Sequence, residues 1–245
     1  MPDMAFASYC RCGPGGCSIE GSCDCMSEAM EVNDFKRVPF EDDGRVAENA
    51  TKVLWECNAK CGCGPDCISK ASQRVRTFAL KIKRYHDKGW GVVLDQAEPI
   101  PPRTFVSRYI GEIINAKEAS VREKEYRKIG KTWLFDLDYN TEVNAKYSID
   151  AYKYGNESHF FNHSCDPNMS VYMLGGHTAD GNLLTLSFWT NRWIHQGDEL
   201  TFDYTGRHYQ SWFKIKGGRE GQAERSRAGR KPCRCGAKNC RKWIC

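Results

Sequence analysis

Nine cysteines in the first part of the chain have the spacing of a metal cluster. They form two groups, C-x-C-x4-C-x5-C-x-C and C-x3-C-x-C-x3-C. An ordinary zinc finger uses a C-x2-4-C spacing, in which a tight turn points two sulfurs at one ion. The C-x-C spacing occurs three times in these groups and favours ligands that are shared among several ions. The predicted ligands are Cys10, Cys12, Cys17, Cys23, Cys25, Cys57, Cys61, Cys63 and Cys67.

The number of thiols fits three zinc ions. Three tetrahedral ions need twelve ligand positions, which nine thiolates supply when three of them bridge two ions each. The two-zinc, six-cysteine cluster of some DNA-binding proteins would leave three thiols unused, and its usual spacing is absent. A segment of reduced cysteines without metal is the other alternative. Because this segment has few apolar residues, metal binding would supply much of its folding free energy.

A second cysteine group lies near the end of the sequence. Cys233, Cys235 and Cys240 form C-x-C-x4-C, which gives only three ligands. Cys245 follows with the same x4 spacing and is one candidate for the fourth ligand. The other candidate is Cys165, which is the only cysteine in the middle of the chain. The residues alone leave both possibilities open.

Four motifs lie between the two cysteine groups. They are KGWGV at 88–92, YIGE at 109–112, FFNHSCDPN at 160–168 and GDELTFDY at 197–204, and CRCGAKNC follows at 233–240. In this order and with these cysteine flanks, the chain resembles SET-domain protein lysine methyltransferases. It is most similar to the suppressor-of-variegation branch, which methylates lysine nine of histone H3. The resemblance covers nearly the whole chain and implies a mainly β SET fold with a pseudoknot, flanked by zinc-bound pre-SET and post-SET modules.

The resemblance implies methyl transfer from S-adenosylmethionine to a lysine amine by in-line displacement. A free lysine has a pKa of about 10.4, so its ammonium group must lose a proton before it can attack. An apolar channel beside a sulfonium disfavours the ammonium form, and the protein has mainly to align and desolvate the reactants. By resemblance, Tyr204 is the catalytic tyrosine and Tyr109 is its partner in the lysine channel.

The resemblance also implies the cofactor contacts. The two glycines around one tryptophan of the KGWG motif allow close approach of the backbone. Histidine at 159 replaces the arginine that is commoner in the family, and tryptophan at 133 stands where relatives often carry tyrosine. The implied cofactor-binding residues are Lys88, Gly89, Trp90, Gly91, Trp133, His159, Asn162, His163 and Trp243.

Further family positions concern the substrate and the fourth zinc. Phe202 lies two residues before the catalytic tyrosine, where relatives line the end of the lysine channel. Phenylalanine lacks the hydroxyl that would restrict rotation of the amine, so the resemblance implies transfer up to trimethyl-lysine. In the family the cysteine of the NHSC motif, here Cys165, completes the carboxy-terminal zinc site, which would leave Cys245 as a spare thiol. Carboxylates for a basic histone tail are expected from Asp136, Asp138 and Asp150, unless these are ordinary exposed acids at strand ends.

The elements that carry these motifs are predicted to be short strands. Phe78, Leu80 and Ile82 alternate with polar residues, which is typical of a half-buried strand. Further strands are predicted at GVVL, TFVSRYIGEII, WLFDL, YSID, LLTLSFW and ELTFDY. One helix is predicted to begin after Asn115 as N-cap, to run to Lys128 and to end at Gly130. The expected divisions of the chain are a cysteine cluster at 1–76, a catalytic domain at 77–206, a basic linker at 207–231 and a zinc module at 232–245. Within the cysteine cluster, a loop is predicted between Met26 and Glu56.

Composition excludes several protein classes. Of the 245 residues 40% are hydrophobic and 27% are charged, which excludes a wholly disordered chain. No apolar run approaches the ~20 residues that a membrane helix needs, so no membrane association is expected. Residues 1–9 have neither a basic start nor an apolar stretch, and no signal peptide is expected.

Charge bears on the expected partner. The formal charge is +5, but the segment 207–231 carries eight Lys or Arg against two Glu, or +6, so the rest of the chain carries −1. Thirteen thiolates and four zinc ions would lower the total further. Such a surface suits the basic histone H3 tail better than DNA, and no direct DNA readout is expected. The expected setting is nuclear chromatin, with chromatin-targeting proteins as further partners.

Two other function classes remain open at this point. One is a SET module without catalytic activity that binds histone tails as a scaffold. The other is a zinc-cluster DNA-binding protein. The four motifs favour the enzyme.

Overall fold

The structure of the chain, a computed structural model, is mainly β, as predicted. It describes residues 9–18, 23–32, 39–51, 53–130, 133–137, 147–176, 183–204 and 231–244. Two α-helices, α1 (Asp24–Val32) and α2 (Ala116–Lys128), and two 3-10 segments, Ile68–Gln73 and Glu157–Phe160, accompany the strands. The strands are β1 (Val53–Trp55), β2 (Leu80–Tyr85), β3 (Gly89–Leu94), β4 (Phe105–Arg108), β5 (Glu112–Asn115), β6 (Leu134–Asp136), β7 (Tyr147–Asp150), β8 (Asn162–His163), β9 (Met169–Gly175), β10 (Thr185–Thr190), β11 (Thr201–Phe202), β12 (Lys231–Pro232) and β13 (Trp243–Ile244).

The strands form several small sheets around one apolar core. The largest sheet has the order β1-β9-β10-β4, a second has the order β5-β7-β6, and β2 pairs with β3. The β9–β10 pair is antiparallel from Met169↔Thr190 to Leu174↔Thr185. Buried side chains from these sheets, Val106, Val171 and Phe188 among them, meet in one cluster. No helix in the described ranges is long and apolar enough to cross a membrane.

A short parallel pair joins two segments that are distant in sequence. β8 pairs with β11 through Asn162↔Thr201 and Phe202↔His163. The backbone N–H of Ser164 then donates to the carbonyl of Phe202 at 3.0 Å. The side chain of Asn168 extends this contact, since its oxygen accepts from the N–H of Thr201 at 2.9 Å. The NHSC and TFDY motifs therefore lie side by side, as the pseudoknot expectation requires.

The long helix was predicted correctly, but two separate strands were predicted as one. α2 is capped by Asn115, whose side chain accepts from the N–H of Glu118 at 3.0 Å, and Gly130 follows it with φ +67°. The segment TFVSRYIGEII, predicted as one strand, is divided into β4 and β5. A Cβ on Gly111 would lie 2.4 Å from the carbonyl oxygen of Asp150, so the chain passes too close to β7 there for a side chain.

The prediction of a loop between Met26 and Glu56 is wrong at both ends. α1 occupies the first part because Met26 and Ala29 lie on one helix face and are buried, Met26 against the cysteines. β1 occupies the last part, where Val53 pairs with Met173 in parallel and Leu54 is fully buried. The prediction for Ile82 also needs correction, because this side chain is 43% exposed on β2.

A buried carboxylate joins the cysteine-rich segment to the β core. Glu56 follows β1, is 0% exposed and accepts hydrogen bonds from the N–H and the hydroxyl of Ser72, both at 2.6 Å. The guanidinium of Arg108 on β4 lies 3.6 Å from the same carboxylate. Burial raises the pKa of Glu56, while its hydrogen bonds and Arg108 act in the opposite direction. An ion pair with one partner this deeply buried is costly to break from one side.

We expect Arg108→Met to lower the free energy of unfolding by about 3 kcal/mol, because the buried Glu56 would lose its cation and would either stay charged without it or have to bind a proton. A fall in Tm of roughly 6–12 °C, measured by circular dichroism at fixed zinc concentration, would correspond to this loss. Arg45→Met, which breaks an exposed pair with Asp43, is the control and should leave Tm nearly unchanged. An equal Tm for Arg108→Met and wild type would contradict this account.

Candidate functional site

Three cysteine sulfurs form the centre of the amino-terminal cluster. The Sγ atoms of Cys10 and Cys17 are 3.5 Å apart, those of Cys17 and Cys57 are 3.5 Å apart, and those of Cys10 and Cys57 are 3.9 Å apart. A zinc–sulfur distance of about 2.3 Å separates the sulfurs of a tetrahedral site by about 3.8 Å. The spacing of these sulfurs therefore suits zinc, and each of the three lies close enough to the others to bridge two ions.

The remaining cysteines of the cluster surround this centre in groups of four. Cys10 occurs in all three groups whose sulfurs lie within 4.8 Å of one another, and Cys17 and Cys57 occur in two each. Cys67 also faces the centre, since its sulfur accepts from the N–H of Cys17 at 3.4 Å. The three groups are Cys10, Cys12, Cys17 and Cys23; Cys10, Cys25, Cys57 and Cys61; and Cys10, Cys17, Cys57 and Cys63.

A fourth group of cysteines joins the β core to the carboxy-terminal module, residues 231–244. The sulfurs of Cys165, Cys233, Cys235 and Cys240 all lie within 4.8 Å of one another, and those of Cys165 and Cys233 are 3.8 Å apart. The structure thus brings Cys165 to the three carboxy-terminal thiols. Cys245 lies outside the described residues.

The two tyrosines of the predicted site are held by carbonyl groups. The hydroxyl of Tyr204 donates to the carbonyl of Phe161, and the hydroxyl of Tyr109 donates to the carbonyl of Trp133 at 2.9 Å. Desolvation raises the pKa of both hydroxyls, and the charge of Tyr204 is a further cause of the rise at Tyr109. Both phenols therefore stay protonated near neutral pH and can donate hydrogen bonds.

Phe202 lies in the aromatic group that links these tyrosines. Its ring centroid is 4.7 Å from that of Tyr204 and 4.9 Å from that of Phe188. Phe135, 5.9 Å away, in turn packs edge-on against Tyr109 at 4.7 Å. Phe202 is only 2% exposed. The group offers apolar ring surface with phenol hydroxyls at two positions, which is what a lysine methylene chain and its amine require.

The KGWG turn packs against the NHSC motif with no room for a side chain at Gly91. A Cβ there would lie 2.4 Å from Glu199 Oε1 and 2.8 Å from the side-chain nitrogen of Asn162. That nitrogen donates to the carbonyl of Trp90 and to Glu199 Oε1, both at 2.8 Å. The other oxygen of Glu199 pairs with the ammonium of Lys88. The backbone of β3 is thus fixed against β8, as a site for a nucleoside cofactor requires.

Sequence reasoning missed Glu199 as a residue of this site. Its carboxylate joins Lys88 to Asn162 across two motifs, and its side chain is only 15% exposed. Glu199 and Asp203 both belong to the quoted GDELTFDY motif, which was interpreted as a strand without a role for either acid. Arg241, which follows Cys240, was also not singled out.

His163 lies between Tyr204 and the fourth cysteine group. Its Nδ1 accepts from the backbone N–H of Tyr204 at 3.1 Å, so the ring proton belongs on Nε2, which lies 3.4 Å from the sulfur of Cys165. Burial and the charge of Arg241 lower the pKa of His163, while Asp203 raises it. The side chain of His163 is therefore engaged within the protein, and its neutral form is favoured.

The other predicted cofactor contacts lie in two places. Trp133 stacks on His159 with ring centroids 5.5 Å apart and packs at a tilt against Tyr152 at 4.5 Å, and its carbonyl is the one that accepts from Tyr109. Trp243 lies in β13 opposite Pro232 and is 49% exposed. Gly89 begins β3 at the KGWG turn.

The three predicted acids do not behave alike. Asp150 is 1% exposed, and one carboxylate oxygen accepts from Arg122 at 2.8 Å and from the hydroxyl of Tyr126 at 2.7 Å. This carboxylate fixes α2 on β7, so the expectation that it faces a basic tail does not agree with its surroundings. Asp136 is exposed and accepts from the hydroxyl of Ser148 at 2.8 Å. Asp138 lies outside the described residues.

Comparisons with known proteins agree with this arrangement. A family profile described as SET domain matches residues 89–205, and one described as Pre-SET motif matches residues 2–70. Over 246 aligned residues the chain is 36% identical to a Schizosaccharomyces pombe protein named "Histone-lysine N-methyltransferase, H3 lysine-9 specific". The alignment covers 99% of this chain and 48% of that protein, so the chain spans about half the length of this relative.

Solved structures show the same fold. The Neurospora SET domain protein DIM-5, a histone lysine methyltransferase, is 30% identical with a TM-score of 0.72, and 83% of each chain is covered. KRYPTONITE in complex with mCHH DNA, an H3(1-15) peptide and SAH is 29% identical with a TM-score of 0.73. That alignment covers 99% of this chain and 44% of KRYPTONITE.

We expect Cys240→Ser to lower the zinc content from four ions per chain to three, because the variant removes a ligand of the fourth group only. Elemental analysis against protein concentration measures this. Cys165→Ser should behave like Cys240→Ser, and Cys245→Ser, the control, should retain all four ions. Loss of one ion from Cys245→Ser but not from Cys165→Ser would show that the fourth ligand was assigned to the wrong cysteine.

Proposed function

The chain belongs to the SET-domain family, and on that premise we propose that it falls in the Su(var)3-9 group and methylates histone H3 at lysine nine with S-adenosylmethionine as methyl donor. The observation that carries the proposal is the placement of Tyr204 and Tyr109 around Phe202, directly beside the β8–β11 pair. The S. pombe relative is named for H3 lysine-9 specificity, and KRYPTONITE was solved with an H3(1-15) peptide.

The residues beside the KGWG turn suit the methyl donor. When bound, S-adenosylmethionine supplies an activated methyl group on a sulfonium. The backbone at Gly91 and the side chain of Asn162 would hold it, since the contacts with Glu199 fix both in one place. SAH, the product that methyl transfer leaves, is present in the KRYPTONITE structure.

The aromatic group suits the lysine. Ring surface from Phe202, Phe135 and Tyr109 excludes water from the amine and disfavours its ammonium form. The lone pair of the neutral amine forms the new bond to the methyl carbon as the bond from carbon to sulfur breaks. The hydroxyl oxygens of Tyr204 and Tyr109 accept hydrogen bonds from the amine N–H groups and so orient its lone pair, and alignment in a dry site lowers the barrier without an acid–base pair.

Several finer points are part of the same proposal. We propose that the product is trimethyl-lysine, that the protein acts in nuclear chromatin together with targeting proteins, and that the chain is divided at residues 76, 206 and 231. We also propose that it reads no DNA sequence. KRYPTONITE was solved with DNA as well as peptide, so a mobility-shift assay with duplex DNA at several salt concentrations is the direct measurement.

Mass spectrometry of an H3 tail peptide tests the central proposal. The chain is incubated with S-adenosylmethionine and the peptide, and with a control peptide in which lysine nine is alanine. Methyl groups should appear on the first peptide and not on the second. Binding of the peptide without any transfer would favour the scaffold function, and transfer to both peptides would place the target at another lysine.

We expect Tyr204→Phe to lower kcat by roughly 100-fold or more, because it removes only the hydroxyl, whose oxygen accepts a hydrogen bond from the amine N–H. Affinity for S-adenosylmethionine, measured by calorimetry, and Tm should stay close to wild type. Tyr154→Phe, at a position that is 66% exposed, is the matched control and should keep full activity. If Tyr204→Phe retains most of the wild-type rate, another residue orients the amine.

We expect Phe202→Tyr to stop at mono- or dimethyl-lysine, because the added hydroxyl would hold the amine or a water molecule and restrict rotation of the methylated product. The first transfer should proceed at a rate near that of wild type. A time course by mass spectrometry separates the three products. Trimethyl-lysine formed by Phe202→Tyr at the wild-type rate would contradict this role, as would wild type that stops at monomethyl-lysine.

A further inference from the structure

A buried ion pair connects the carboxy-terminal module to the residue before Tyr204. Arg241 directly follows the ligand Cys240, and Asp203 directly follows Phe202. The guanidinium of Arg241 donates through Nη1 to Asp203 Oδ2 at 2.8 Å and through Nη2 to Asp203 Oδ1 at 2.6 Å. The Asp203 side chain is 6% exposed and that of Arg241 is 21% exposed. The pair is therefore bidentate and largely shielded from water.

A second set of contacts lies between Arg241 and Tyr204 and involves His163. The guanidinium of Arg241 packs against His163 without a hydrogen bond, since Nη2 lies 3.4 Å from the N–H at Nε2, and His163 Nδ1 accepts from the N–H of Tyr204. The backbone N–H of Arg241 donates to the sulfur of Cys165 at 3.3 Å. One residue of the module thus contacts a zinc ligand, the histidine beside the tyrosine and the carboxylate next to the tyrosine.

We propose that Arg241 and Asp203 are positioning residues for Tyr204, and that their ion pair fixes the tyrosine only when the carboxy-terminal module is in place. The proposal rests on the proposed methyl transfer, in which the hydroxyl of Tyr204 orients the amine. Neither residue contacts the reacting atoms. Their effect is on the peptide group of Tyr204, whose N–H donates to His163 of the β core and whose preceding side chain is held by Arg241 of the module.

The geometry explains why arginine stands at this position. A planar guanidinium forms two parallel hydrogen bonds with a carboxylate, which fixes the direction as well as the distance of the contact. Lysine would keep the charge but would make a single, less directional contact. Without Arg241, the largely buried carboxylate of Asp203 would lose its bidentate cation, which favours its movement toward water. Because Tyr204 is the next residue, that movement displaces its backbone.

Steady-state kinetics with S-adenosylmethionine and the H3 peptide tests whether the ion pair affects catalysis. At saturating S-adenosylmethionine and H3 peptide, Arg241→Ala and Asp203→Asn should each lower kcat by roughly tenfold or more, with a change in KM for the peptide below about threefold. Arg241→Lys should fall between Arg241→Ala and wild type. Lys238→Ala, an exposed cation of the same module, is the control and should match wild type.

A double-mutant cycle shows whether the two residues act as one unit. The double variant Asp203→Asn with Arg241→Ala should lose no more kcat than the worse single variant. Losses that multiply would overturn the proposal, because the residues would then act independently. A kcat for Arg241→Ala equal to that of wild type would overturn it as well.

Zinc release supplies a readout that does not depend on catalysis. Asp203→Asn leaves every zinc ligand intact but removes the ion pair that holds the module. A chromogenic chelator should therefore extract one of the four ions faster from this variant than from wild type. Equal extraction rates would overturn the link between Asp203 and the module. If wild type transfers no methyl group, the proposed function fails, while the chelator experiment still tests the link.

Discussion

The parallel β8–β11 pair is the constraint on which the rest of the site depends. It consists of only two residue pairs, Asn162↔Thr201 and Phe202↔His163, between segments about forty positions apart in the chain. Loop closure over that distance has an entropy cost that two backbone pairs cannot offset. Side-chain contacts at both ends of the pair offset the rest of this cost. Asn168 accepts from the N–H of Thr201 at one end, and His163 accepts from the N–H of Tyr204 at the other. The KGWG turn contacts Asn162 of this pair, the aromatic group includes its Phe202, and Cys165 of the fourth cysteine group follows His163 by two residues.

The two ends of the chain are stabilised by a different kind of interaction from the middle. In the β core, apolar side chains such as Phe188 and Leu186 are buried against one another. In the amino-terminal cluster the buried residues are mostly the cysteines themselves, and apolar neighbours such as Met26 pack around them. Zinc there takes the place of a hydrophobic core. At the joint between the two parts, Glu56 and Arg108 are held by directed polar contacts, which specify one docking geometry better than apolar surface would.

The sequence was informative where one residue determines the outcome locally. Asn115 caps α2 and Gly130 follows it, and both signals lie at the ends of the helix itself, so the helix was predicted correctly.

The break at Gly111 depends on the close passage of Asp150, which lies far along the chain, and the periodicity of the sequence carries no information on such a contact. The surroundings of Asp150 could not be predicted for the same reason. Its position at a strand end is typical of an exposed acid, but Arg122 and Tyr126 from α2 enclose its carboxylate. The motif residues could be named from their resemblance, but the partners that hold them, Glu199, Asp203 and Arg241, follow only from the three-dimensional arrangement.

The parallel addition of β1 to β9 has a consequence for the protein when metal is lost. β1 lies between the two amino-terminal cysteine groups and covers the outer edge of β9 by pairing with Met173, Leu174 and Gly175. If the cluster unfolds on chelation, β1 keeps only the contacts of Leu54 and Glu56 with the β core, and its release would uncover the edge of β9. That strand, MSVYMLG, has no charged residue, and along this edge its backbone groups would lose their β1 partners. Exposed edges of this kind pair readily with other chains, so zinc at this end also protects the protein from self-association and amyloid-like aggregation.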